Sequence, residues 1–431
     1  MTPKMPRFMF TPVTPPFAGA GQEESVVTGY IERLESLGGV RATADDYGVA
    51  APLALLIATG GTEGAALDLL GTRDALVPGE PVLLLTHPGN NSLPAALELL
   101  ARLKQDGAVG RIVHLRGLDD DAGWAALEAA LHDVSVRAEL HSTRLGLVGA
   151  PSDWLVASSP DPTEVTRVWG PKIVSIAMEE LSSAIEAAGT LAGGSPTGGA
   201  TGTNSPSAPD AAPSLRDAAT LVIEPTTADL AEAVRVHTAL QAIVERHGLT
   251  ALTVRCFDIV IQRGTSGCYA LSELTDAGIV AGCEGDLVST VGMLWAKLLT
   301  GQVPWMANPS DLDTASNVLW LAHCTVPRTV VDDYALRSHF ESGLGVGIQG
   351  TLPKGPVTLL RIGGTTMESL WLAEGELTDT PTEENLCRTQ ARIQLLRGDV
   401  RELLVAPLGN HIVMIRGHHA ERLLEWWETM L

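Results

Sequence analysis

The sequence predicts an α/β protein: N-terminal doubly wound layers, then a C-terminal α+β domain that ends in a mostly β subdomain. Three observations lead there. Short apolar runs alternate with amphipathic stretches through the first half, the pattern of parallel strands joined by crossover helices. Several of these runs end in a polar, glycine-containing loop that opens the next helix. The chain has 431 residues, more than one ordinary core holds, since domains run to roughly 100–200 residues. Boundaries are expected at 1–170 for an N-terminal α/β domain, 171–335 for a central α/β domain and 336–431 for a β-rich subdomain.

Leu53 to Ala58 (LALLIA) is the first clear strand and runs into Thr59-Gly60-Gly61-Thr62-Glu63-Gly64. Pro81 to Thr86 (PVLLLT) is the second; it runs into His87-Pro88-Gly89-Asn90-Asn91-Ser92 and a helical stretch ending near Leu103. Arg144 to Val148 repeats the theme and leads to Gly149-Ala150-Pro151-Ser152-Asp153-Trp154. Ligands of open α/β sheets bind at the carboxyl ends of strands, so such loops are candidate walls of a site. The first two match neither GxGxxG nor GxxxxGK[ST], which disfavours a nucleotide cofactor. From Gly189 to Ser214 the chain is rich in Gly, Pro, Ser and Thr with Asp210 as its one charge, and a flexible insertion is expected there. Beyond it, Leu221 to Ile223 reads as a strand. Thr226 and Asp229 open a helix that Gly248 closes, Val254 to Cys256 leads to Asp258, and Gly278 to Cys283 reads as a buried strand. Asp286 to Gly301 is a helix with apolar residues at helical spacing and Gly301 as its stop. The C-terminal segment Glu421 to Met430 reads as a helix with Leu424 and Trp427 facing inward.

Charge excludes several partners. The formal net charge is -22, from 51 acidic against 29 Lys and Arg residues, which repels nucleic-acid backbones and anionic membranes. No run of about 18 apolar residues could span a bilayer, and the N-terminal MTPKMPRFMFTPVTPPF carries five prolines where a signal peptide needs a smooth apolar stretch. A cytoplasmic protein is expected. The five cysteines all fall between Cys256 and Cys387 without a short paired spacing, and read as reduced thiols.

The chemistry concentrates after Asp258. Glu284 and Asp286 sit between a predicted strand and a predicted helix, where the helix N-terminus favours negative charge and a divalent cation could be held. His323 closes the apolar run Val318 to Ala322, His339 lies in Ser338-His339-Phe340-Glu341-Ser342-Gly343, and His411 in Pro407-Leu408-Gly409-Asn410-His411. Carboxylates and histidines at strand ends make the mixed oxygen and nitrogen set that suits Mn²⁺, Mg²⁺ or a related ion. Arg388 and Gln390, in Cys387-Arg388-Thr389-Gln390, are candidates for binding substrate hydroxyls or for satisfying buried backbone.

In Cys256-Phe257-Asp258, Gly282-Cys283-Glu284-Gly285-Asp286-Leu287, Phe340-Glu341-Ser342-Gly343, Cys387-Arg388-Thr389-Gln390 and Gly409-Asn410-His411 the chain resembles the L-fucose isomerase and L-arabinose isomerase superfamily, and most of all its shorter fucose isomerase-related members. The likeness covers most of Leu221 to Gly417. It is looser earlier, resting on Pro151 to Leu155 and Val168-Trp169-Gly170. The resemblance implies a metal-dependent aldose–ketose isomerase working through an enediolate, with flavodoxin- or Rossmann-like N-terminal layers and a catalytic C-terminal half. Alternatives on the same platform are a metal-dependent sugar epimerase, a carbon–carbon lyase, or a sugar-binding protein without chemistry. It implies Mn²⁺, with Mg²⁺ or Co²⁺ as substitutes, held by Asp258, Glu284, Asp286 and His411. Glu284 or Asp258 would then be the catalytic base, and His323, His339, Arg388, Gln390 and His87 would bind substrate. Better-known members carry Glu where Asp258 stands. A homo-oligomer is implied, with His87 reaching a neighbouring subunit's site.

Overall fold

The computed structural model describes residues 6–14, 24–191 and 215–431. The chain divides into two units, Met1–Glu139 with Leu424–Leu431, and Leu140–Leu423.

In the first unit the strands β1 (Phe8–Val13), β2 (Gly39–Arg41), β3 (Leu53–Ile57), β4 (Val82–Thr86) and β5 (Gly110–His114) form one parallel sheet in the order β2-β1-β3-β4-β5. Successive side chains of a strand point to opposite faces. Phe8, Phe10, Ala54, Leu56, Leu83 and Leu85 therefore share one core with Val27 and Leu34 of the helix Glu24–Ser36 and with Trp124, Leu127 and Leu131 of the helix Asp121–Ser142. Met9, Leu53, Leu55, Ile57 and Leu84 share the other with Ala66 of the helix Glu63–Leu76 and Ala95, Ala96 and Leu99 of the helix Ser92–Gln105. Helices thus cover both faces, which is why these strands are apolar throughout rather than alternating.

The second unit opens with another parallel sheet, β10-β9-β6-β7, built from β6 (Arg144–Val148), β7 (Lys172–Ile176), β9 (Ala251–Val254) and β10 (Val280–Cys283). The helix Thr227–His247 begins at a reciprocal cap between Thr226 and Asp229 and stops at Gly248, whose φ of 59° is left-handed. The helix Leu287–Thr300 starts at Asp286, whose side chain accepts from Ser289 N–H, and stops at Gly301. Beyond it β11 (Trp305–Asp313), β12 (Val318–His323), β15 (Gly355–Gly363), β16 (Ser369–Asp379), β17 (Thr389–Arg397) and β18 (Ile412–Arg416) close into a barrel in the order β11-β12-β17-β16-β15-β18. Alternate residues such as Leu319 and Leu321, Ala391 and Ile393, and Ile412 and Met414 belong to one continuous core. The three strands β8 (Leu221–Val222), β13 (Asp333–Arg337) and β14 (Gly347–Thr351) make a small sheet, β14-β13-β8.

The architecture is therefore a mixed α/β one, with parallel sheets early and a β-barrel late. Two sequence expectations need correction. Cys256 is not the end of a strand: β9 stops at Val254, and the helix Cys256–Arg263 carries Asp258 in its first turn, where a carboxylate is favoured by the helix dipole. In the C-terminal helix Ala420–Met430 the buried positions are Ala420, Leu423, Trp426 and Met430, so that Leu423 and Trp426 stand one residue before the predicted inward residues Leu424 and Trp427. Of the glycine-rich stretch at 189–214, Gly189 to Leu191 end the helix Met178–Leu191; the rest lies outside the described residues. Among the described residues no helix is long and apolar enough to cross a membrane, and all five cysteines are free thiols.

Candidate metal centre

Three loops at the carboxyl ends of parallel strands make one wall of the site: the residues after β6, after β9 and after β10. Glu284 follows β10 directly and has a φ of 63°, Gly285 a φ of 71°. Left-handed backbone costs a non-glycine residue roughly 1–2 kcal/mol. The surroundings hold it there: Glu284 O accepts from Ser152 N–H at 2.8 Å and Gly285 N–H donates to Val254 O at 3.0 Å. A Cβ on Gly285 would meet Ala150 O at 2.5 Å, so this position admits only glycine without moving the loop after β6. The turn aims the Glu284 carboxyl into the protein, where the residue is only 8% exposed.

The barrel rim supplies the opposite wall. β11 pairs Asn308 with Ala322 of β12 and Ala307 with Ile412 of β18, which brings His323 and His411 to the same end of the barrel. Their rings lie 5.6 Å apart, centroid to centroid. Glu284, His323 and His411 are all buried, and one ligand atom from each lies within 4.8 Å of the others. This is a group that can hold a metal ion.

The ring nitrogens are sorted for that task. His411 Nδ1 lies 2.9 Å from Asp286 Oδ2, so Nδ1 carries a proton toward the carboxylate. Its Nε2 is buried and, among the described residues, has no hydrogen-bond partner; it stands 3.6 Å from Glu284 Oε1, too far for an ordinary hydrogen bond. An orphaned buried nitrogen facing a carboxylate oxygen fits a cation between them. His323 Nδ1 is 2.8 Å from Thr325 Oγ1, which leaves Nε2 for the group. Burial first, then the charge of His411, lowers the His323 pKa to about 4, so its imidazole is neutral and keeps a lone pair. Burial alone would lower His411 too. The hydrogen bond to Asp286 and the negative charges of Asp286 and Glu284 outweigh that and raise its pKa to about 9. Burial pushes the Glu284 carboxyl up, yet His411 above all, with the Trp154 indole N–H, brings it below the ordinary glutamate value.

Asp286 is placed behind this group rather than in it. Its Oδ1 accepts from Ser289 N–H at 2.7 Å, and its Oδ2 receives Ser289 Oγ at 2.7 Å, His411 Nδ1 at 2.9 Å and Arg361 Nη1 at 3.4 Å. A carboxylate so engaged orients the histidine ligand. Burial opposes its ionisation, but Arg361 and His411 hold it well below the usual carboxylate range.

The other predicted residues fall outside the group of three. Asp258 Oδ1 accepts from Arg255 Nε at 3.0 Å, and the same guanidinium grips Asp153 at 3.0 Å. Its neighbour Phe257 lies edge-on to Trp154 at 4.8 Å and to His339 at 5.4 Å, so the start of that helix borders the site. His339 Nδ1 is 3.0 Å from Ser342 Oγ. Arg388 donates to Ser338 O at 2.9 Å, and its guanidinium lies over the Phe340 ring. The Gln390 amide is engaged by Glu383 and Cys387 backbone. His87 belongs to the first unit, where its ring nitrogens lie 2.9 Å from Pro88 O and Ala58 O.

Four contributors were not singled out from sequence. Thr325 and Ser289 follow their partners by two and three residues, a spacing visible once the partners are known. Arg361 is the one charged residue in the stretch Val357 to Ile362, and a lone arginine inside a buried strand signals a buried carboxylate. Trp154 Nε1 donates to Glu284 Oε2 at 2.6 Å, a pairing across the sheet that no local pattern announces.

No protein-family model matches the chain. It is similar to the sulfoquinovose isomerase of Alkalicoccus urumqiensis, 25% identical over 195 residues, which are 43% of this chain and 44% of that protein. The sulfoquinovose isomerases of Priestia aryabhattai and Priestia megaterium are each 24% identical over 198 residues, 44% of either length. The matched stretch spans less than half of these curated relatives. A crystal structure of a conserved protein of unknown function from an Enterococcus faecalis locus aligns with 94% of this chain and 95% of its own, at 11% identity and a TM-score of 0.15. The coarse conclusion is a likeness to sugar isomerases.

Proposed function

We propose that the protein is a divalent-metal-dependent aldose–ketose isomerase of an open-chain sugar. The observation that carries this reading is the buried set of Glu284, His323 and His411 with its orphaned His411 nitrogen; the likeness to curated sulfoquinovose isomerases supports it. Glu284, His323 and His411 would hold the ion, with Mn²⁺ first among those suited to such a mixed donor set. Bound there, the ion supplies Lewis acidity to the sugar's carbonyl and adjacent hydroxyl oxygens.

The remaining work falls to the chain. Asp286 keeps a His411 proton on Nδ1, which leaves Nε2 as the atom that would bind the ion. Glu284 belongs to the group of three that would hold the ion, which suits a ligand better than a base. We assign proton transfer between C2 and C1 through the enediolate to Asp258, a quarter exposed and held by Arg255. It would remove the C2 proton and return it to C1, the task of a general base.

The test is a screen of aldoses and ketoses, with sulfoquinovose at its head, scored for interconversion by the full chain with added Mn²⁺. Interconversion that stops on chelation and returns with Mn²⁺ is expected. A chain that binds Mn²⁺ and one of these sugars but never interconverts it contradicts the proposal.

A further inference from the structure

Trp154 is an anomaly of burial. It is 50% exposed, although a tryptophan ring carries a large apolar area that folding ordinarily removes from water. Its position is nevertheless fixed from several sides. The loop after β6 is tied down by Arg255, which donates to Pro151 O at 2.6 Å and pairs with Asp153, and by Ser152 N–H, which donates to Glu284 O. The ring meets Phe257 edge-on, with 83° between the planes. The indole N–H ends on Glu284 Oε2 at 2.6 Å. A short hydrogen bond to a charged, buried acceptor is among the stronger ones a side chain can make.

The consequence for Glu284 is specific. With Oε2 occupied by the indole, Oε1 is the oxygen that faces His411 Nε2, so the carboxyl cannot swing both oxygens to one ion without breaking that bond. About half of the residue's surface remains exposed, on a side chain tied to Glu284 of the group of three. Apolar ring faces complement the C–H faces of sugars.

We propose that Trp154 is a positioning residue for Glu284 and, through its exposed face, the wall on which the sugar's carbon chain lies; this rests on the metal and isomerase reading given above. The two roles use different parts of one side chain, the N–H and the ring, and separate by substitution. Trp154→Phe keeps a ring and removes the donor. Its Mn²⁺ dissociation constant, measured by calorimetric titration, is expected to rise by roughly tenfold or more, the usual effect of losing a partner behind a metal ligand. With Mn²⁺ saturating, its KM for the sugar stays within about twofold of the unmodified chain. Trp154→Gln keeps an N–H donor and removes the ring; the split reverses, with KM rising by roughly tenfold and Mn²⁺ affinity falling less than in Trp154→Phe.

A merely structural role would move both quantities together in both variants, in step with a lower melting temperature, and that result overturns the proposal. So does a Trp154→Phe chain that binds Mn²⁺ as tightly as the unmodified one. An unmodified chain that takes up no Mn²⁺ overturns the metal reading itself and this inference with it. Mn²⁺ uptake without sugar turnover overturns the isomerase reading and the wall role, and the Trp154→Phe titration alone then decides the positioning role.

Discussion

Asp286→Ala is expected to lower stability by about 3–5 kcal/mol, the usual cost of leaving one member of a buried ion pair unpaired. Asp286 is fully buried and Arg361 is 2% exposed, so neither charge has water to fall back on. Removing the carboxylate deprives Arg361 of its ion pair with Asp286, although Ser289 Oγ and Ser158 Oγ, each at 2.5 Å, still accept from it. It also removes the N-cap of the helix Leu287–Thr300, a loss of about 1 kcal/mol on its own. Asp286→Asn keeps the shape and an acceptor for the cap but not the charge, and should lose less. Urea denaturation read at its midpoint measures both. A midpoint unchanged in Asp286→Ala would mean that this network contributes nothing to the fold.

Asp258→Asn is expected to reduce sugar interconversion by at least roughly a hundredfold, the usual contribution of a positioned base, with Mn²⁺ affinity unaltered. The amide keeps the size of the side chain and loses the basic oxygen, so kcat should fall without a matching change in KM. Glu284→Gln should show the other signature: weaker Mn²⁺ binding, with turnover partly restored by excess ion. Steady-state kinetics beside metal titration of the two variants separates the roles. If proton exchange at the sugar C2 survives in Asp258→Asn and disappears in Glu284→Gln with metal still bound, the assignments of base and ligand change places.

Much of the local structure was legible because caps and periodicity are local. The helices Thr227–His247 and Leu287–Thr300 begin and end where Thr226, Asp229 and Gly248, and Asp286 and Gly301, said they should. The strand Arg144–Val148 has the predicted limits. Glu284, His323 and His411 were all candidates by residue type and by their positions at strand ends.

What the sequence did not separate is which neighbour does what. Glu284 and Asp286 are one residue apart with similar chemistry, yet the left-handed turn at Glu284 and Gly285 sends the first toward the barrel rim and leaves the second capping a helix. Nothing in a linear pattern distinguishes them, because the distinction comes from the loop after β6 pressing on Gly285. Arg361 and Trp154 reach the site from 75 residues after Asp286 and 130 residues before Glu284, through strand pairing that periodicity does not encode. The inward stripe of the C-terminal helix was displaced by one residue because Leu423 and Leu424, and Trp426 and Trp427, are adjacent apolar pairs, each offering a choice that only packing makes.

Whether Glu284, His323 and His411 hold a divalent cation is decided by calorimetric titration of the metal-free protein with Mn²⁺ in two buffers of different ionisation enthalpy. In the metal-free state the His411 pKa is about 9, so at neutral pH its Nε2 carries a proton that the ion must displace. One ion per chain is expected, with release of about one proton on binding near neutral pH and an affinity that rises with pH until His411 is deprotonated and then levels off. His411→Ala should abolish the uptake and the proton release together. No uptake, or uptake in His411→Ala as tight as in the unmodified chain, would contradict the metal reading.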